Sequence, residues 1–154
     1  MRTVIVGIGN DFRGDDGAGL AVARILKGLS SPEIEVFELN GEVTRVLDHL
    51  HEFDAAFFID AVQPRQSPGT IYRFDASQEP LPGLHNHRST HGINLGSLVE
   101  LARAQGILPH RMIVYGIEAA SSEHGASLTQ EVDAAVRKTV IAVQDELKTL
   151  YADR

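Results

Sequence analysis

The chain has 154 residues, the size of one compact domain, so residues 1–154 are read as a single unit, and a chain of about 150 residues buries roughly 70% of its extended surface without needing metal or disulfide staples. Its 14 Lys and Arg against 21 Asp and Glu give a net charge of −7, which argues against a nucleic-acid backbone or an anionic membrane as partner. There is no cysteine, which excludes disulfides, thiolate metal sites and cysteine nucleophiles; the longest apolar run, Ala55 to Ile59, is too short to cross a bilayer, and the expectation is a cytoplasmic protein.

In chain order, Thr3–Ile8 is a nearly continuous apolar run of the kind that forms a strand covered on both faces. A glycine-rich loop follows, then the stripe Val22/Ile25/Leu26/Leu29, which has the spacing of a helix lying on a core and is closed by Gly28. Ile34–Leu39 interleaves charged with apolar residues, as suits a strand near a sheet edge. Val43/Val46/Leu47/Leu50 predicts a second helix, with His49 and His51 at its end. Ala55–Ile59 predicts a buried strand, and Thr70–Phe74 another. The link from Ala61 to Gly69 contains Pro64 and Pro68 and is too short for a crossover helix, so the strand after it runs antiparallel. Leu95/Leu98/Val99/Ala102 predicts a third helix closed by Gly106, Met112–Ile117 a buried strand, and Val136/Thr139/Val140/Val143 a last helix reaching Leu147. Ser127 and Gln130 have capping-box spacing at its start.

This order, β-α-β-α-β-β-α-β-α, predicts an α/β fold: a three-layer α/β/α sandwich around a five-stranded, mostly parallel sheet with one antiparallel strand. In such sheets ligands bind outside the carboxyl ends of the strands, where successive connections leave in opposite directions. With the first strand between the second and third, that crevice lies beyond Ile8 and Ile59.

The densest signal is the loop from Gly7 to Gly19, Gly-Ile-Gly-Asn-Asp-Phe-Arg-Gly-Asp-Asp-Gly-Ala-Gly. A strand, glycine loop and helix invite a dinucleotide reading, but Phe12 holds the third glycine position and no phosphate-binding Lys follows. Asp15 and Asp16 stand where a pyrophosphate would need helix amides, and two carboxylates there repel an anion and attract a cation. Asp15 is read as the N-cap of the first helix. One cap needs one side chain, so Asp16 is left to face the crevice.

Asp60 ends the most hydrophobic strand, where a carboxylate is costly to bury unless it meets a cation, a donor or water. An ordinary role, accepting from the amides of the Ala61–Pro64 turn, is weighed against a functional one at the switch point, and the latter is favoured. Of seven histidines, His85, His87 and His91 share one segment, and His91 stands out because it opens the third helix beside Gly92. Two carboxylates and an imidazole form an open oxygen and nitrogen set suited to a borderline divalent ion, with positions left for substrate or water.

Taken together, Gly7-Ile-Gly9-Asn10, Asp15-Asp16-Gly17-Ala-Gly19, Phe58-Ile59-Asp60-Ala61, Thr90-His91-Gly92, Tyr115-Gly116-Ile117-Glu118 and Gly125-Ala-Ser127-Leu128 make the chain resemble the hydrogenase maturation proteases. These endopeptidases remove a C-terminal extension from the large subunit of nickel–iron hydrogenases after nickel insertion. The resemblance implies that Asp16, Asp60 and His91 are both the nickel ligands and the catalytic set, that Gly9, Asn10 and Asp15 shape the loop, and that the metal is nickel supplied by the precursor. Zinc or another divalent ion would be accepted by the isolated protein. The partner implied is the precursor of a hydrogenase large subunit, met by a monomer, with no nucleic acid. Ala119 departs from the proline common in the family after the Gly-Ile-Glu element. Two alternatives stand beside this reading: a metal-dependent recognition module without hydrolysis, and a peptidyl-tRNA hydrolase-like enzyme, which also opens with a Gly-x-Gly-Asn loop but calls for a basic RNA-facing surface.

Overall fold

The computed structural model describes residues 1–82, 95–120 and 127–153. Five strands, β1 (Thr3–Ile8), β2 (Ile34–Leu39), β3 (Ala55–Val62), β4 (Ile71–Asp75) and β5 (Arg111–Glu118), form one sheet in the order β2-β1-β3-β5-β4. All pairings are parallel except β4 with β5. The α/β class, the strand count and the antiparallel strand are therefore as the sequence predicts. β1 and β2 have the predicted bounds, whereas β3 and β5 each run further, pairing Asp60 with Gly116 and Val62 with Glu118. Asp60 lies inside β3, not at its end.

Every residue of β1 and β3 is buried, and alternation sends their side chains to two cores. Val4, Val6, Ile8, Ala56 and Phe58 pack with α2 (Leu95–Ala104) and a 3₁₀ segment, Val43–Glu52. Ile5, Phe57 and Ile59 pack on the other face with α1 (Ala18–Leu26) and α3 (Gln130–Ala152). This is the predicted three-layer arrangement. Thr139, the one polar residue in the α3 stripe, is fully buried at no unpaired cost because its hydroxyl donates to the Ala135 carbonyl at 2.8 Å.

Three local expectations are corrected. The second helix is a 3₁₀ segment, not α. It has to return from the top of β2 to the base of β3, a distance set by a six-residue strand of about 20 Å. Ten residues span about 20 Å at the 3₁₀ rise, but about 15 Å as α-helix. Gly28 does not cap α1 with left-handed backbone; the helix tightens into the 3₁₀ turn Lys27–Leu29, closed by the Ser30 amide donating to Lys27. At the start of α3 the N-cap is Thr129, not Ser127. Gly106, by contrast, closes α2 as expected: it has φ 71°, and the amides of Gly106 and Ile107 donate to the carbonyls of Arg103 and Ala102 at 3.1 and 3.0 Å.

The join of α1 to the sheet depends on one absent side chain. A Cβ at Gly19 would lie 2.3 Å from the carbonyl oxygens of both Ile8 and Ile59. The first turn of α1 thus sits directly on the carboxyl ends of β1 and β3, where the connections diverge.

Candidate active site

The loop that follows β1 is closed upon itself by backbone. The Asn10 amide donates to the Asp16 carbonyl at 3.1 Å, the Arg13 amide to Asn10 at 3.2 Å, and the Asp16 amide to Arg13 at 3.1 Å. The Asn10 side chain adds a turn of its own, its Oδ1 accepting from the Phe12 amide at 2.9 Å. Gly9 is required at the closure, since a Cβ there would stand 2.1 Å from the Asp16 carbonyl oxygen. Gly9 in turn donates to Leu39 at 3.1 Å, tying the loop to the end of β2.

The two adjacent aspartates have different surroundings. Both lie in the short 3₁₀ turn Gly14–Gly17 ahead of α1, whose own N-cap is Gly17. Asp15 is fully buried and does not cap α1. Its Oδ2 accepts from the Ala120 amide at 2.8 Å and its Oδ1 from the Thr129 amide at 2.7 Å, while the Thr129 hydroxyl donates to the same carboxylate at 2.9 and 3.1 Å. It ties Thr129, the residue ahead of α3, to the loop across the fold. Asp16 is half-buried. The 3₁₀ turn that carries it packs on β3.

Asp60 is 6% exposed and continues the face of Ala56 and Phe58. Its Oδ1 accepts from the Ala61 amide at 2.8 Å, so the ordinary role weighed from sequence is present. Because Gly7 pairs with Ile59, Asp60 sits one residue past the last β1–β3 pair, level with the start of the loop carrying Asp16. His91, with His85 and His87, lies outside the described residues. Among those described, no group of three His, Asp or Glu residues has the arrangement of a metal site.

A third carboxylate near this edge is not among the site residues to which the sequence points. Glu118, 1% exposed, is on the same face of β5 as Gly116, the partner of Asp60. It accepts from the Gln66 amide at 3.0 and 3.1 Å and from the Tyr72 hydroxyl at 2.8 Å. Burial pushes its carboxyl up, but the amides of Arg65 and Gln66, the Tyr72 hydroxyl and the Arg65 charge outweigh it and hold the group below its ordinary 4.5. Tyr72 is raised correspondingly, first by that hydrogen bond. Glu118 so fixes the link after Asp60, helped by the Gly69 amide donating to its carbonyl at 2.8 Å. The signal that singles out Asp60, an acid at the carboxyl end of an apolar strand, was equally available for Glu118.

The pH dependence follows from the sign of that shift. A carboxyl held low in the fold adds stability that is present above its unfolded value and is lost as pH falls through the folded one. Glu118→Gln is expected to lower stability at pH 7 by about 1–3 kcal/mol, the cost of weakening a buried charged acceptor, and to lose less than wild type when pH is dropped below 4.5. Thermal melts at pH 7 and in the acid range check both; equal losses in the two proteins would remove Glu118 as the origin.

The architecture defines the class: an α/β protein with a mostly parallel five-stranded sheet between helices, whose loop after β1 carries two adjacent aspartates. The sequence model for hydrogenase maturation proteases of the HycI type matches residues 21–146, and the chain belongs to that family of peptidases. The hydrogenase 2 maturation protease of Escherichia coli K12 is 23% identical over 152 residues, covering 96% of this chain and 92% of that protein. Among solved structures, a [NiFe] hydrogenase maturation protease HybD from Thermococcus kodakarensis superimposes with a TM-score of 0.73 at 28% identity, over 94% of this chain and 98% of that one. The E. coli maturating endopeptidase HybD shares the fold with a TM-score of 0.84 at 22% identity, over 97% and 93%. No described helix is long and apolar enough to cross a membrane.

Proposed function

We propose that this protein is the endopeptidase that removes the C-terminal extension of a nickel–iron hydrogenase large-subunit precursor once nickel has been inserted, and that Asp16, Asp60 and His91 engage that nickel. The observation that carries the reading is the convergence of two acidic segments on one edge of the sheet: the closed loop bearing Asp16 packs against β3 where Asp60 sits. Two carboxylate oxygens with an imidazole suit a borderline divalent ion and leave coordination positions for the precursor's own ligands. In the sequence His91 is four residues before Leu95 of α2, and α2 covers the face of the sheet that Asp60 shares.

In this reading nickel is part of the substrate. Its capture by the crevice holds the scissile bond in place, so cleavage reports that the metal has been loaded. Hydrolysis then requires an activated water and a stabilised oxyanion. The base is one of the two aspartates, or the metal itself polarises the carbonyl or water. Zinc or another divalent ion is expected to occupy the same ligands in the isolated protein.

The test is incubation with nickel-loaded and nickel-free precursor, followed by intact mass. Loss of a C-terminal peptide from the loaded form alone is the expected result. Equal cleavage of both forms overturns nickel recognition, and cleavage of neither overturns the protease assignment for this precursor.

A further inference from the structure

We infer that Phe12 anchors the protein substrate at the rim of the crevice by inserting into an apolar pocket on the precursor beside its metal centre. The inference rests on the function proposed above. Four large apolar residues stand out from the described surface: Phe12 at 65% exposure, Ile141 at 57%, Ile25 at 53% and Phe37 at 40%. Single exposed apolar side chains are common and carry nothing alone. Ile25 and Ile141 lie on helices and Phe37 on β2, where one face of an element has to look outward. Phe12 is different, because it is on a loop whose backbone is pinned on both sides and no regular element obliges its side chain to face outward.

The pinning is extensive. The Phe12 amide donates to Asn10 Oδ1 at 2.9 Å, and the loop around it is closed by the Asn10, Arg13 and Asp16 backbone bonds. On the outer side Asp11 is gripped by Arg24 of α1, with Nη1 to Oδ1 at 3.0 Å, and the Arg24 Nε also donates to Glu38 of β2 at 2.8 Å. The aromatic ring is therefore displayed from a fixed platform, and that same platform fixes Asp16. Rigid presentation lowers the ordering cost of binding, and an aromatic anchor excluded from water is the usual kind of interface hot spot. Continuity with the crevice selects the occupant: whatever protein brings a cation to Asp16 meets Phe12 at the same moment.

The experiment compares wild type, F12S and F12L on nickel-loaded precursor over a range of precursor concentrations, with sedimentation of each protein alone. F12S is expected to raise KM about tenfold or more with kcat and Tm unchanged, and F12L to recover most of the loss. A KM within twofold of wild type, a fall confined to kcat, or a shift from dimer to monomer on F12S overturns the inference, the last by assigning the ring to a second copy. Wild-type cleavage with an indifferent F12S leaves the proposed function standing and removes only the anchor. No wild-type cleavage removes both.

Discussion

Asp16→Ala is expected to abolish processing of the nickel-loaded precursor, with a rate loss of roughly a hundredfold or more, while the protein melts within about 2 °C of wild type. The two halves of this expectation have separate causes. What holds the loop is the Asp16 backbone, whose carbonyl and amide pair with Asn10 and Arg13, and alanine keeps both. What is removed is a carboxylate of the proposed ligand set, and a set that loses one anionic ligand loses both affinity for the metal and the placement of the bond to be cut. Asp60→Asn tests the same idea more conservatively, since its side-chain oxygen still accepts from the Ala61 amide and only the charge and one acceptor are gone. The same large loss is expected. Released peptide, quantified by mass over time, is the measurement; full cleavage by either variant would sink the proposed ligand set without touching family membership.

How far the sequence could lead is clearest at the level of single elements. The buried strand β1 is written locally as an apolar run bounded by polar turns, and the edge strand β2 as charged and apolar residues interleaved, so both are legible to the residue. The antiparallel β4 is legible by exclusion, because the link before it has no room for a helix. The stripe at Val43, Val46 and Leu50 reads as an α-helix, since its steps of three and four residues fit 3.6 residues per turn; the 3₁₀ form answers to the distance the segment has to cross, which local spacing does not record. The candidate site is reached in part for a similar reason. Asp16 and Asp60 can be proposed from sequence because topology places the carboxyl ends of β1 and β3 side by side. Hydrogen-bond partners that are remote in the chain leave no local mark, and Asp15 is the case in point.

Asp15 therefore supplies the second large effect, and the opposite one to its neighbour. Its partners Ala120 and Thr129 are 105 and 114 positions away in the sequence, so an aspartate ahead of a helix looks like that helix's own cap. In the fold it is a buried carboxylate satisfied by two backbone amides and a hydroxyl, joining the site loop to the end of β5 and the start of α3. Asp15→Ala leaves those two amides and the hydroxyl without the acceptor they share. The expected cost is about 3 kcal/mol, or roughly 6–12 °C in Tm for a protein of this size. Asp15→Asn is expected to recover little of it. An amide presents one oxygen and one NH2, and with donors aimed at both carboxylate oxygens, one of them must then face another donor. Thermal melts of Asp15→Ala, Asp15→Asn and Asp16→Ala, set beside their processing rates at a temperature well below all three midpoints, separate the two aspartates. Stability should fall with the first two alone, and processing should fall furthest with the third. If Asp15→Ala melts with wild type, the carboxylate does not tie α3 to the site loop, and its burial needs another explanation.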